Sequence, residues 1–234
     1  MPHTPTEKPP AIRLYSARLS MFGAKVQIAA FEKSIPLDIV MVPFTQTEGY
    51  SPKHPEVVRI NPKKQVPVLI NGDLELFDST QILEYLEDLH PQPALWPDGI
   101  AARARARQME HMSDEVYFPH IIRLMGLQHS LDDPQAVAAI AGARAFYARL
   151  ENLLQGREFV MESFSFADIA LYMAMLFGER LGAPLTPATP LLLAWRGSMS
   201  ARPSVQSAVI PMAKYLLSDG RPLPAFMAEM LQAA

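Results

Sequence analysis

Residues 61–86 read NPKKQVPVLINGDLELFDSTQILEYL and contain the clearest structural signal in the chain. Two segments of alternating apolar and polar residues, 66–70 and 74–77, flank the dipeptide Asn71-Gly72. Asn-Gly between such segments is the strongest short-range indication of a β-hairpin, because both residues tolerate positive φ. Apolar residues then recur at helical spacing from Ser79 to Leu89. The stretch therefore predicts two antiparallel strands followed by a helix.

The residues before this hairpin predict a β-α-β unit. A short apolar strand at Ile12–Tyr15 precedes helical spacing over Phe22–Lys33, and a β-branched strand follows at Asp38–Val42. Residues 43–62 contain four prolines, at positions 43, 52, 55 and 62, and predict an irregular loop that includes a turn of helix. The first unit is therefore predicted as βαβαββα, with its first two strands parallel.

The residues after the hairpin unit predict an all-α domain. Residues 90–97 contain three prolines, which predicts an irregular linker at 91–98 between domains at 11–90 and 99–234. Helical patterns follow at residues 100–127, 135–154, 166–177 and 190–199. The first ten residues, MPHTPTEKPP, predict a short irregular lead-in.

Composition excludes several classes of function. The 234 residues carry 21 Lys and Arg against 24 Asp and Glu, so a nucleic acid is not an expected partner. The longest apolar run, Ile169–Phe177, is about half of what a membrane-spanning helix needs. The chain has no cysteine, which excludes disulfides, thiolate metal sites and cysteine nucleophiles and fits a reducing cytoplasm. The six histidines show no metal-ligand spacing, so no metal is expected.

Ser165-Phe166-Ala167-Asp168 matches a helix capping box, in which Ser165 and Asp168 bond each other's backbone amides. This pattern predicts a structural role at the start of a helix. The apolar run that follows predicts that this helix lies in the centre of the second domain.

Two motifs in the first domain allow both a structural and a binding interpretation. Val66-Pro67 begins an edge strand or, with a cis bond, turns the Val66 backbone outward to pair with an extended peptide. Asp78-Ser79 caps a helix or holds a carboxylate on the helix amides and an ammonium on Asp78. The residues alone favour the structural interpretation of both motifs.

In their order and spacing, these elements and motifs resemble the cytosolic glutathione transferase superfamily over about residues 11–218. The motifs on which this resemblance rests are Asn61-Pro62, Val66-Pro67-Val68-Leu69, a turn, Asp78-Ser79, and FSFADIALY at 164–172. The resemblance implies a thioredoxin-like first domain with a mixed four-stranded sheet and an all-helical second domain. It also implies glutathione as co-substrate, a cytoplasmic homodimer and a role in detoxification.

The resemblance also assigns expected roles in a glutathione site. Val66-Pro67 resembles the cis-proline step that holds the cysteinyl part of glutathione, and Asp78-Ser79 the pair that binds its γ-glutamyl end. In the plant phi class, positions similar to Lys53 and Gln65 contact the tripeptide, with Lys53 near the glycine carboxylate.

Two departures from known classes accompany these assignments. Pro52 stands where the phi class has a histidine before its equivalent of Lys53. The zeta class has Ser-Ser-Cys where this chain has Ser20-Met21-Phe22. The absence of cysteine also separates the chain from the classes that use a protein thiol.

The segment LYSARLSMFGAKV at 14–26 resembles the classes in which a serine at the start of the first helix activates the glutathione thiol. Spacing assigns this role to Ser20, with Ser16 and Tyr15 as the alternatives. We therefore expect an enzyme that attacks an electrophile or peroxide bound between the first domain and helices near Tyr117 and Met125. The alternative is a non-catalytic member of the same fold that binds glutathione, an apolar ligand or another protein.

Overall fold

A computed structural model describes residues 11–45 and 47–233, and the lead-in expected at residues 1–10 lies outside these ranges. Four strands form one sheet in the order β2-β1-β3-β4: β1 Ile12–Ser16, β2 Leu37–Met41, β3 Val68–Asn71 and β4 Leu74–Phe77. β1 runs parallel to β2 and antiparallel to β3, and β4 runs antiparallel to β3. The predicted mixed sheet and its order of elements are confirmed.

Ten α-helices complete the described fold. They are α1 Met21–Glu32, α2 Pro55–Ile60, α3 Ser79–Leu89, α4 Ile100–Met112, α5 Phe118–Met125, α6 Pro134–Leu153, α7 Phe166–Leu181, α8 Pro190–Ser200, α9 Pro203–Ser218 and α10 Ala225–Ala233. A wider turn of π-helix, Ser113–Tyr117, joins α4 to α5.

The central strands β1 and β3 contribute buried residues, and successive residues of a strand point to opposite faces of the sheet. Leu14 of β1 packs with Val26 of α1 and Ile82 of α3 on one face. Tyr15, the next residue, packs with Val57 of α2 on the other face. The sheet therefore lies between α1 and α3 on one side and α2 on the other.

The hairpin is present, but its turn lies one residue later than the sequence indicates. Asn71 pairs with Leu74 across the two strands, so Gly72 and Asp73 form the turn. Only Gly72 of these two has a positive φ, at 59°. The paired position of Asn71 therefore corrects its predicted role as a turn residue.

The second part of the chain is helical, as predicted, and α7 is its central element. Every residue from Phe166 to Gly178 is buried. The four predicted helical segments did not include α9 and α10. Pro203 lies in the first turn of α9, where its missing N–H is not needed, so this proline begins a helix rather than preventing one.

The two parts of the chain share the largest hydrophobic cluster, and the sheet part keeps two smaller clusters of its own. Leu19, Met21 and Ile28 from the region of α1 belong to the same buried cluster as Tyr172 and Val209 of the helical part. The predicted domain bounds, 11–90 and 99–234 with a linker at 91–98, remain a proposal. None of the helices in residues 11–45 and 47–233 has the length and apolar character to cross a membrane.

Candidate functional site

Ser20 occupies the N-cap of α1, immediately after the loop that leaves β1. Its backbone is extended, with φ −83° and ψ 108°, and its hydroxyl oxygen accepts a hydrogen bond from the Gly23 amide at 3.0 Å. A serine hydroxyl has one donor and two acceptor positions, so this bond leaves its proton available to a ligand. The N-terminus of α1 adds positive potential at the same point.

The two alternatives to Ser20 are placed differently. Ser16 is fully buried, and its hydroxyl oxygen accepts from Gln27 Nε2 at 3.1 Å. Tyr15 is 4% exposed, and its ring lies 4.7 Å from that of His54. Ser20 is partly exposed, so of the three side chains it is the most accessible to a ligand.

Gly23 was not among the residues expected in the site. Its lack of a side chain allows Ser16 and Ser20 to lie close to the first turn of α1. A Cβ atom at position 23 would lie 2.0 Å from Ser16 Oγ and 3.3 Å from Ser20 Oγ. Any side chain larger than hydrogen would therefore displace Ser16 or the first turn of α1.

The Val66-Pro67 bond is cis, and Val66 lies just before β3. Within the described residues, neither the amide nor the carbonyl of Val66 has a hydrogen-bond partner. The preceding loop is held by Asn61, whose Nδ2 donates to the Gln65 carbonyl at 2.6 Å. The backbone of Val66 is therefore available to an extended peptide, and Asn61, known from the sequence only as part of the Asn61-Pro62 motif, positions the loop before it.

Asp78 begins α3 in an unusual backbone conformation. Its φ is +76°, which is uncommon for a residue other than glycine and costs about 1–3 kcal/mol. Its carboxylate accepts from the amides of Thr80 at 3.1 Å and Gln81 at 3.4 Å, so the capping interpretation is correct. A carboxylate has about four acceptor positions, so an exposed Asp78 can also accept from an ammonium group.

Lys53, in the loop before α2, and Gln65, directly before Val66, are both exposed. Lys53 Nζ lies 4.2 Å from the centre of the Tyr50 ring, which places its cation on an aromatic face. His54 follows Lys53 and caps α2, accepting from the Glu56 amide at 3.3 Å.

Tyr117 does not have the placement expected of a pocket residue. It is fully buried, and its hydroxyl lies 2.6 Å from that of Tyr147. Tyr147 in turn donates to the Ala183 carbonyl at 2.7 Å, so the pair belongs to the helical core. Burial raises the pKa of Tyr117 well above its usual value. Met125, by contrast, is 48% exposed at the end of α5.

A buried ionic cluster connects both helix N-termini to the second part of the chain. Lys25 of α1 is fully buried and donates to Glu110 at 2.9 Å and to Asp114 at 2.7 Å. The Thr80 hydroxyl, two residues after Asp78, donates to the same Glu110 carboxylate at 3.0 Å. The sequence did not reveal this cluster, because its members are up to 89 residues apart.

A shallow, open depression of the surface lies between the β1–α1 loop and α9, lined by Arg18, Pro211, Lys214, Tyr215 and Ser218. Among the described residues, no three His, Asp or Glu side chains are grouped so that they could hold a metal ion.

The family model of the glutathione S-transferase N-terminal domain matches residues 14–94. The family model of the glutathione S-transferase C-terminal domain matches residues 115–203. The chain belongs to the glutathione S-transferase family. Its two-part architecture and its similarity to family enzymes support a glutathione-dependent enzyme.

The chain is similar to two proteins of this family and to one solved structure, as follows. Maleylacetoacetate isomerase of Dictyostelium discoideum is 32% identical over 185 residues, 74% of this chain and 82% of that protein. A zeta-class glutathione S-transferase of Euphorbia esula is 29% identical over 211 residues, 86% of this chain and 90% of that one. A Methylobacillus flagellatus glutathione S-transferase structure with GSH bound has 26% identity and a TM-score of 0.73, covering 85% of this chain and 98% of that one.

This similarity to a zeta-class protein stands beside the departure at Met21-Phe22 from the zeta-class motif expected from the sequence.

Proposed function

We propose that this protein is a glutathione transferase in which Ser20 activates the glutathione thiol for attack on an electrophile or peroxide. The placement of the Ser20 hydroxyl carries the proposal. It accepts from the Gly23 amide at 3.0 Å and therefore keeps its own proton to donate to a sulfur anion at the N-terminus of α1.

The remaining groups suit the rest of the tripeptide. The Val66 backbone would pair with the cysteinyl part, beside the cis Pro67. The Asp78 carboxylate would accept from the γ-glutamyl ammonium, while the amide of Ser79, the first residue of α3, would donate to its carboxylate. Lys53 and Gln65 would contact the glycine end.

The required activation is of a size that these groups can supply. A free thiol with a pKa of about 8.5 is only a few per cent thiolate at pH 7. Lowering this pKa by about two units requires roughly 2.7 kcal/mol of preferential stabilisation of the anion. One charge-assisted hydrogen bond and a helix N-terminus together reach this magnitude.

The test is ultraviolet titration of the bound glutathione thiolate, together with conjugation rates at pH 7. In Ser20→Ala we expect glutathione to bind within about tenfold of the wild-type affinity, while the pKa of its thiol rises towards about 8.5. Turnover at pH 7 should fall accordingly, because less of the thiol is ionised.

Ser16→Ala is the matched control, since it removes the same hydroxyl from a fully buried position. We expect it to leave the thiol pKa near the wild-type value. If the pKa of the bound thiol shifted in Ser16→Ala but not in Ser20→Ala, Ser16 rather than Ser20 would be the residue that activates the thiol. A wild-type bound thiol that titrates like free glutathione would favour the non-catalytic binding protein.

We further propose a cytoplasmic homodimer whose electrophile site includes Met125 but not the buried Tyr117. The lack of cysteine fits a reducing compartment. Sedimentation at several protein concentrations tests the dimer. A screen of conjugation, dehalogenation, ether cleavage and hydroperoxide reduction with glutathione would identify the reaction.

A further inference from the structure

The carboxylate of Glu110 on α4 contacts both helices whose first turns form the proposed glutathione site. Glu110 is 1% exposed, so it does not itself reach a ligand in that site. Its Oε1 atom accepts from Lys25 Nζ at 2.9 Å and from the Thr80 hydroxyl at 3.0 Å. Lys25 belongs to α1, which Ser20 caps, and Thr80 belongs to α3, which Asp78 caps. One buried oxygen of the second part of the chain therefore meets both helices.

The surroundings of the Glu110 carboxylate hold it in one place. Lys25 is fully buried and also donates to Asp114 at 2.7 Å, so its ammonium lies between two carboxylates. The Thr80 hydroxyl also lies 3.2 Å from the second oxygen of Glu110, Oε2. Hydrogen bonds to ionised groups are shorter and stronger than those between neutral groups. The carboxylate is therefore a fixed point to which Thr80 is tied.

Thr80 connects this fixed point to the side chain proposed to bind the γ-glutamyl ammonium. Its amide donates to the Asp78 carboxylate at 3.1 Å, while its hydroxyl donates to Glu110. Asp78 has a φ of +76°, and such a conformation persists where the surrounding structure holds it. Without the bond to Glu110 the first turn of α3 could relax, and the direction of the Asp78 carboxylate would change with it.

We infer that Glu110 is a positioning residue for the γ-glutamyl end of glutathione, and that it acts from the second part of the chain through the Thr80 hydroxyl. The inference rests on the proposed function, because it needs a ligand ammonium at Asp78. It adds that the direction of the Asp78 carboxylate, and not its charge alone, sets the affinity for glutathione. The thiol at Ser20 is not involved.

The experiment compares two ligands that differ in one group, glutathione and its desamino analogue N-glutaryl-cysteinylglycine, which lacks the γ-glutamyl ammonium. Calorimetry should show that wild-type protein binds glutathione more tightly, because the analogue cannot donate to Asp78. Thr80→Val keeps the shape of the side chain and removes its hydroxyl. In this variant we expect glutathione to bind about tenfold more weakly, or about 1.4 kcal/mol, with the analogue within about twofold. The pKa of the bound glutathione thiol should not change.

Thr80→Ser and Thr189→Val are the matched controls. Thr80→Ser keeps the hydroxyl, so glutathione should bind within about threefold of the wild-type affinity. Thr189→Val removes a hydroxyl that donates to the Thr186 carbonyl at 3.1 Å at the start of α8, and both affinities should stay within about twofold. A loss in Thr189→Val equal to that in Thr80→Val would overturn the inference, because any lost threonine hydrogen bond would then weaken binding.

Glu110→Met tests the carboxylate itself and leaves Lys25 paired with Asp114. We expect it to reduce the preference for glutathione over the analogue about tenfold, as Thr80→Val does. In the Glu110→Met background, Thr80→Val should add less than about twofold, because two residues that act through one bond are not additive. Fully additive losses would overturn the inference. If Glu110→Met does not fold, the Thr80 variants decide the question.

The outcomes distinguish this inference from the proposed function. Equal weakening of both ligands in Thr80→Val, or no weakening of either, would overturn the inference while the proposed function stands. Equal affinities of wild-type protein for the two ligands would overturn it together with the proposed binding of the ammonium at Asp78. If Thr80→Val loses the preference for glutathione but wild-type protein catalyses no conjugation, the inference holds and the proposed enzymatic function fails.

Discussion

Asp168 is fully buried at the start of α7 and satisfies donors from three parts of the helical core. Its carboxylate accepts from the Val160 amide and from Trp195 Nε1, each at 3.0 Å. It also accepts from the amide and the hydroxyl of Ser165, each at 3.1 Å. The predicted capping box is present, and the same carboxylate additionally joins α7 to α8 and to the chain before α7.

Stability should depend on pH through Asp168. Burial raises its pKa to about 6, although the four donors oppose this shift. The folded state then binds a proton between about pH 4 and pH 6 that the unfolded state does not, so this carboxyl favours folding at low pH and less so as pH rises. Relative to Asp168→Asn, wild-type protein should gain about 2 kcal/mol of unfolding free energy from pH 7 to pH 4.5.

Urea unfolding of the two proteins at both pH values measures this difference, and groups elsewhere cancel in the comparison. A difference independent of pH would mean that Asp168 has the ordinary pKa of a solvated carboxyl.

The role of Asp78 in ligand binding can be separated from its role as a cap. Asp78→Asn keeps a capping oxygen and a residue that tolerates positive φ, but it removes the charge. We expect thermal stability to remain within about 0.5 kcal/mol and glutathione affinity to weaken by about 1.5–3 kcal/mol, measured by calorimetry. Unchanged affinity would move the γ-glutamyl ammonium to another site.

At the scale of elements, Lys25 holds α1 against α4 and the π-helical turn. Burial alone would lower the pKa of Lys25, but the carboxylates of Glu110 and Asp114 outweigh it and raise that pKa. Removing one partner of such a cluster leaves buried charge without compensation.

Lys25→Met should therefore lower the free energy of unfolding by about 3–5 kcal/mol. The triple variant Lys25→Met, Glu110→Gln, Asp114→Asn should recover much of this loss, because no buried charge remains unpaired. Chemical denaturation of both variants measures the two effects. An equal loss in both would assign the cost to packing around Lys25 rather than to charge.

At the scale of the whole molecule, the shared core makes the two parts interdependent. Without the helical part, Leu19, Met21, Ile28 and the charged Lys25 would lose the surroundings that bury them. The molecule should therefore unfold as one cooperative unit.

A fragment of residues 1–98 tests this interdependence. We expect the whole chain to show one unfolding transition by calorimetry and circular dichroism, with no cooperative transition in the fragment. A fragment that unfolds cooperatively near the temperature of the whole chain would show that the sheet part is independently stable.

By itself, the sequence determined the features that depend on neighbouring residues. The Val68–Phe77 hairpin, the α3 bounds and the Ser165 capping box follow from turn residues, apolar spacing and helix-end chemistry within a few positions. Order and spacing were enough to find the family and its candidate glutathione residues.

The tertiary structure decided what depends on residues far apart in the chain. It exposed Ser20 while burying Ser16, it placed Tyr117 in the core, and it paired Lys25 with acids 85 and 89 residues away. The sequence shows the residue type at each of these positions but not the surroundings of the side chain. Packing against distant elements sets which polar groups meet solvent and which meet each other, and local patterns carry no information on that packing.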